Sequence, residues 1–357
     1  MMINVKLSAL SEIPNLTTSD LMYIISGGIS YYVPIGDVLR NKNVFINGGF
    51  DIWQRGTSFT ANGLTADRWK LALGVGAAIT VSRSAFTLGQ TDVPGEPEFY
   101  VSLNRTTAGS ASSIFLQAIE DVRTFAGKTV TFSFWAKATA AFSIDVDHAQ
   151  NFGTGGGSGQ TNGANLGNWS VTTSWQKFST QIPIASISGK TIGTGGNDFL
   201  AINFIWRNTQ GLTETLDIAN VQIEEGSVAT DFESRPIGLE QALAQRYYQK
   251  SFPDSVVPAQ NAGRTGAYEL VQSVGPSLLV VFASVILPVQ MRATPTVTLF
   301  NPSAANAEIR NVSAGTNWTG SVAVLKTEKS FSTNGTTPAG SDEADGGSFH
   351  WTADAEL

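Results

Sequence analysis

At 357 residues the chain is too long for one ordinary β-domain, and it points to about two domains plus a short extra segment. Charged residues make up only 14%, yet hydrophobic residues reach 42%, with 8 Trp and 20 Phe to fill cores, so disorder is excluded. A net charge of -7 with no Lys/Arg-rich run excludes a broad nucleic-acid footprint, and the absence of Cys excludes disulfides and thiolate metal sites.

Taken in chain order, residues 1–41 form a short unit. MMINVKLSALSEIPN has no long apolar run, so no secretory signal is expected. YIIS-GG-ISYYVP reads as a β-hairpin around Gly27-Gly28, and Asp37 is placed to cap one helical turn. About 40 residues bury too little surface to stand alone, so the unit is expected to oligomerise or dock on another protein.

Residues 42–236 read as a β-sandwich of jelly-roll type. Apolar or alternating runs recur at 69–73, 78–82, 99–103, 113–119, 130–136, 142–146, 177–182, 199–206 and 216–223, with turn signals between them. Residues 151–168 are Gly-rich and read as a long surface loop, flexible or ligand-facing. Ser188-Gly189-Lys190-Thr191 lacks the first glycine of a phosphate loop, because position 184 is Ile, and reads as a turn.

Residues 237–357 are expected to form a connector helix and a C-terminal β-sandwich. RPIGLEQALAQRYYQK, from Arg235 to Lys250, has helical spacing with Pro236 near its start. Strands are expected at 266–274, 278–289, 296–300, 307–312, 321–326 and 348–352. The run LLVVFASVILPV is too short for a membrane helix and reads as a strand buried on both faces, so no membrane insertion is expected. No repeat of fixed period is visible. The fold class is therefore all-β.

Several phrases carry a resemblance. NVFINGGFDIWQRGTSFTANGLTADRW (43–69), TLDIANVQIEEGSVATDFESRPIGLEQALAQRYYQKSF (215–252), QMRATPTVTLFNP (from 290) and the terminal ADAEL are similar to a group of phage and prophage tail-fibre proteins. VKLSALSEIPNLTTSDLMYIISGGISYYVPIGDVL resembles N-terminal units by which tail fibres attach to a tail or baseplate. NGGFD, FSFWAKA, WQKFS and LDIANVQIEEG resemble jelly-roll carbohydrate-binding modules. The resemblance implies a virion protein assembled in the host cytoplasm, docked on a tail or baseplate protein through residues 1–41, and binding host surface polysaccharide. Residues 237–357 are then the candidate receptor-binding head, with host contact expected in the loops near its C-terminal end. A homotrimer is expected, because the first unit lacks its own core and the run from 278 offers more apolar surface than one thin domain needs.

The residue types that carry chemistry are sparse. His148 and His350 fall in different segments, neither in a nucleophile elbow, and His148 reads as a polar loop residue. Glu224 and Glu225 are adjacent and point to opposite faces of a strand, and Asp342, Glu343 and Asp345 read as a solvated turn, so no acid pair for glycan cleavage is evident. No enzyme activity is expected; the alternatives are a glycan-degrading tailspike and a non-binding adaptor or decoration protein. Jelly-roll modules of the kind resembled here hold a structural calcium, for which Asn47, Asp51 and Asp217 would be the ligands, although Asn47-Gly48-Gly49 also reads as a turn and Asp217 as an exposed strand residue. No other cofactor is expected. Sugars stack on aromatic faces. Trp53, Trp69, Trp135 and Trp206 read as core, Trp351 as core or inter-chain, and Trp169 and Tyr100 as surface candidates. Trp318, between Gly315 and Gly320, reads as an exposed platform for a sugar, or as a contact with a neighbouring subunit. Arg68 is expected to pair with a near neighbour, Asp67 or Asp51.

Overall fold

The computed structural model describes residues 21–26, 29–34, 42–163, 166–271, 279–281, 285–339 and 346–357, the first two for their backbone alone. The expected docking segment before residue 21, Asp37 and the acidic turn at 342–345 lie outside them. Within the N-terminal unit, β1 (Leu21–Ser26) pairs antiparallel with β2 (Ile29–Pro34), as the Gly-Gly between two β-rich runs predicts.

The sandwich consists of two antiparallel sheets. Its strands are β3 (Ser58–Phe59), β4 (Gly63–Leu64), β5 (Trp69–Ala72), β6 (Ala78–Ala85), β7 (Phe99–Thr107), β8 (Ser113–Glu120), β9 (Thr129–Ala138), β10 (Phe142–Asn151), β11 (Thr161–Asn162), β12 (Asn168–Val171), β13 (Gln176–Pro183), β14 (Phe199–Trp206) and β15 (Thr215–Glu225). One sheet runs β11-β10-β14-β8-β5-β4, with β12 also on β10, and the other runs β13-β9-β15-β7-β6-β3. All nine strands expected in this segment form. The four missed ones, β3, β4, β11 and β12, have two to four residues each, too few to show a period.

Strand β8 alternates strictly between buried and half-buried positions, so every second side chain enters the core. Phe132 and Phe134 from one sheet meet Trp69, Phe115 and Phe204 from the other, with ring centroids 4.9 Å apart for Phe134 and Phe204. The arm before β3 closes the sandwich. Val44 N–H donates to Ile223 O at 3.0 Å, and Val221 N–H donates to Gly48 O at 2.9 Å, so the arm runs along β15. A Cβ on Gly48 would lie 2.2 Å from Val221 O, so only glycine fits there. Phe45 and Phe50 then enter the core beside Trp69.

The Gly-rich segment is stitched down as well as exposed. Thr154 N–H donates to Asn197 Oδ1 at 2.9 Å, and Ser158 and Thr191 exchange two bonds, tying the segment to the turn after Ile184. His148 lies within β10 and is buried beneath Gly163, where a Cβ would collide with its ring; it is not a loop residue.

Helix α1 (Ile237–Gln245) is shorter than expected. It ends at Gln245 because the following Tyr248–Lys250 becomes β16, pairing with β24 (Gly346–Asp354). The remaining strands are β17 (Tyr268–Val271), β18 (Leu279–Val281), β19 (Val285–Ile286), β20 (Thr296–Phe300), β21 (Arg310–Asn311), β22 (Thr319–Val324) and β23 (Ser330–Thr336). Strand β24 is the spine of one sheet, paired with β16, β17, β20 and β21, and β23 is the spine of the other, paired with β18, β19 and β22. Within the run expected to be buried on both faces, the described parts are β18 and β19, both paired with β23, and their Leu279 and Ile286 are 68% and 78% exposed, so burial on both faces does not hold there. Strand β23, SFSTNGT, was missed because its apolar content is low. Among the described residues no helix is long and apolar enough to cross a membrane.

The two β-units are joined by buried charge. Arg235 Nη1 donates to Glu240 Oε2 at 2.7 Å and to Phe45 O at 3.1 Å, its Nη2 bonds Asn43 O, and Glu240 Oε1 accepts from Asn47 N–H. One ion pair thus fixes the arm, the chain leaving β15 and the first turn of α1, where a carboxylate also suits the helix dipole. Removing one partner leaves the other charge buried and unpaired. Glu240→Ala is expected to cost about 3–5 kcal/mol, read as a drop in the urea midpoint. The pair Arg235→Met with Glu240→Leu should recover part of that loss, and a double variant no more stable than the single one would contradict this account.

Candidate saccharide-binding face

The register of the six-stranded sheet decides which side chains share its outer face. Because successive residues alternate, Val101, Leu103, Leu216, Ile218 and Ala136 go inward, and Tyr100, Ser102, Asp217 and Lys137 go outward. Ser102 on β7, Asp217 on β15 and Lys137 on β9 are cross-strand partners in one row. Trp175, just before β13, extends that row, since Gln176 pairs with Ala136. Ser84 on β6 lies opposite Tyr100, and Phe86 follows at the end of β6.

Three rings meet there. Phe86 and Tyr100 have centroids 4.8 Å apart, Phe86 and Trp175 5.3 Å, and Tyr100 and Trp175 5.4 Å at 83°. All three remain half-buried. Lys137 Nζ stands 5.1 Å from the Trp175 ring and 3.8 Å from Asp217 Oδ2, so the ammonium bridges an aromatic face and a carboxylate. Burial pushes the Asp217 carboxyl up, while Ser102 and Lys137 hold it down. Its Oδ1 is buried and has no hydrogen-bond partner among the described residues. Burial and the Asp217 charge push the Tyr100 phenol up, against a hydrogen bond from Ser84. Ring faces, an ammonium and an unmet acceptor within one row are groups that fit a polyhydroxylated ligand.

Of the residues singled out in the sequence, Tyr100 stands in this group. Trp169 does not: it lies on β12, stacks on Phe134 at 5.2 Å and 13°, touches Phe178 and packs on the core. Trp318 is 1% exposed and sits in the C-terminal core with Ile309, Phe331 and Phe349, so it offers no platform. Its N–H donates to Ile309 O at 2.9 Å, which folds the loop back over the core despite its Asn, Thr and Gly neighbours. Trp351 is core, whereas Trp135 is half-buried on the outer face of β9 and is not core. Trp175 and Phe86 were missed. The signal that would have found Trp175 is its place in a turn one residue before an alternating strand, which puts its ring on a face that register alone defines.

Asn47, Asp51 and Asp217 are not gathered into a calcium site. Asn47 Oδ1 accepts from Ile52 N–H at 2.9 Å and its Nδ2 donates to Ile52 O and Asp67 O, so that side chain holds the turn. Asp217 faces Lys137, and Asp51 faces Glu240 and Glu98. Among the described residues no group of three or more His, Cys, Asp and Glu stands where it could hold a metal. His350 is buried, with Nδ1 on Ser251 Oγ at 3.0 Å, Nε2 on Gly263 O at 3.0 Å and its ring stacked on Phe252 at 4.0 Å. With both nitrogens occupied, it holds the loop after β16. Glu224 is buried against Thr230 and Gln222, while Glu225 is exposed and pairs with Lys128 at 2.7 Å, so the two point apart.

Asp51 is the costly group nearby. Burial, then the charges of Glu240 and Glu98, push its carboxyl up to about 6. A carboxyl whose folded value lies above its unfolded one stabilises the fold fully below the unfolded value, and that contribution fades as pH rises toward about 6. Asp51→Asn is therefore expected to stabilise the protein at pH 7.5 by about 1–2 kcal/mol, with the gain vanishing below about pH 4. Denaturant midpoints at the two pH values check this, and an equal gain at both would refute the charge argument.

No protein-family model matches the chain, and no curated protein matches it. Among solved structures, a CBM4 chain is similar at 19% identity and TM-score 0.33, covering 50% of this chain and 98% of that one. The enzymatically active domain of tailspike protein 4 of bacteriophage CBA120 is similar at 17% identity and TM-score 0.32, over 52% of this chain and 21% of that one. A CBM22-1 xylan-binding domain from Paenibacillus barcinonensis is similar at 14% identity and TM-score 0.30, over 49% of this chain and 99% of that one.

Proposed function

We propose that this chain is a saccharide-binding structural component of a phage tail fibre, and that it binds host surface polysaccharide through the outer face of its six-stranded sheet. The observation that carries the binding is the packing of Phe86, Tyr100 and Trp175 beside Lys137 and the unmet Asp217 oxygen. Half-exposed rings on a sheet face cost solubility unless a ligand covers them, and a sugar ring covers them with its C–H face. The tail-fibre assignment rests on the sequence phrases at 43–69 and 215–252 and on the N-terminal unit, which serves as the attachment segment to a tail or baseplate protein. In this reading the chain works in the virion, without cofactor and without catalysis.

Trp175→Ala is expected to weaken binding to host cells or purified surface polysaccharide by about 10- to 100-fold, the range of a single aromatic anchor, with little change in melting temperature. Unchanged adsorption by the folded variant would sink the assignment of this face. The fibre reading also expects a trimer. Light scattering at micromolar concentration should give three times the mass of one chain, and a stable monomer would count against it.

A further inference from the structure

A second feature lies on the same side of the sandwich. A cleft of about 680 Å³ opens between residues 94–99 and 231–237, beside the bulge where β15 slips register between Ala219 and Gln222. The bulge puts Asn220 in the left-handed region, with φ of 48°, and so aims its side chain where a regular strand would not. Asn220 is 5% exposed; its Nδ2 makes one long bond to Pro94 O at 3.4 Å, and its Oδ1 has no partner among the described residues. A buried acceptor left unmet costs about 1–3 kcal/mol, and beside a cleft it is a group that a water or a ligand hydroxyl would satisfy. Trp135 lines the same cleft, half-buried on the outer face two residues from Lys137 on β9.

The charges of the cleft select among ligands. Its two cations are committed: Lys177 Nζ donates to Thr230 O at 2.9 Å, and Arg235 is held by Glu240 and by the carbonyls of Asn43 and Phe45. Four carboxylates, Asp51, Glu96, Glu98 and Asp231, line it too. What the cleft offers is therefore acceptors and negative charge.

We infer that this cleft is a second subsite, taking a hydroxyl-rich saccharide unit without acidic groups, with its ring on Trp135 and a hydroxyl donated to Asn220 Oδ1. The inference rests on the saccharide reading of the neighbouring face and adds its selectivity: uronic-acid or sulfated glycans are refused by repulsion, and neutral or amine-bearing ones are accepted. Because Trp135 and Lys137 share one face of one strand, an extended saccharide chain can occupy the ring cluster and the cleft together.

The test is titration calorimetry on the full chain with neutral gluco-, xylo- and galacto-oligosaccharides and with oligogalacturonate. Asn220→Gly keeps the left-handed backbone without strain and removes the amide, Trp135→Leu removes the ring, and Trp175→Ala serves as the control on the neighbouring face. The expected result is binding of at least one neutral oligomer, no binding of oligogalacturonate at the same concentration, and a five-fold or greater loss in Asn220→Gly and in Trp135→Leu with melting temperatures near the parent's. Parental affinity in both cleft variants overturns the subsite; if Trp175→Ala alone loses binding, the neighbouring face stands and the cleft falls. Oligogalacturonate binding that the cleft variants abolish overturns the selectivity. Failure of every oligomer to bind the parent overturns both readings.

Discussion

The ion pair between Arg235 and Glu240 is the constraint on which the rest of the structure depends. Its guanidinium accounts for the carbonyls of Asn43 and Phe45, and its carboxylate accounts for the N–H of Asn47, so three backbone groups of the arm are satisfied by one pair. The arm then has one path: along β15 with Gly48 pressed on Val221 O, and into the core at Phe45 and Phe50. Both side chains are under one tenth exposed. Buried pairs of this kind add little net stability over an apolar pair, but they penalise any arrangement that leaves one charge alone. That penalty is what sets the position of α1 and of Asp51 relative to the sandwich.

A second set of charges carries the C-terminal unit. Arg55 lies 3.7 Å from the Tyr248 ring centroid and reaches Asp354 at 3.0 Å and Glu356 at 3.2 Å. Arg68 stacks on Tyr247 and pairs with Glu356. Arg246 and the Tyr247 hydroxyl both bond Glu120, and the hydroxyl distance is 2.8 Å. Burial pushes both tyrosines up to about 12, so they remain neutral donors and ring faces across the physiological range. The last residues of the chain are thereby held against the first strands of the sandwich.

The outer face of the six-stranded sheet differs from these regions in its half-covered rings. Inside the sandwich Arg105 is wholly buried, yet it meets the carbonyls of Ala108, Arg207 and Gln210. On the outer face the oxygens of Asp217 and Asn220 lack partners among the described residues, and the rings of Trp135, Tyr100 and Trp175 are half-covered. In the proposed reading, half-covered rings gathered on one face are where a ligand gains binding energy.

The sequence by itself determined the all-β class, the hairpin at 21–34 and the nine longer strands of the sandwich, because alternation and turn residues are local signals. It singled out Tyr100 but not Trp175 or Phe86, since only the register of β6, β7, β9 and β13 brings residues 86, 100 and 175 together. It misread Trp318, where the flanking glycines suggested exposure and long-range packing on Phe331 and Phe349 decided burial. It expected Arg68 to pair with a near neighbour, whereas the partner is Glu356, 288 residues away. It extended α1 to Lys250, because helical spacing there competes with the tertiary pairing of β16 on β24. Local period writes the strands into the chain, but which side chains share a face, and which charges meet, follows from register and from contacts between distant segments, and only the tertiary structure decided those.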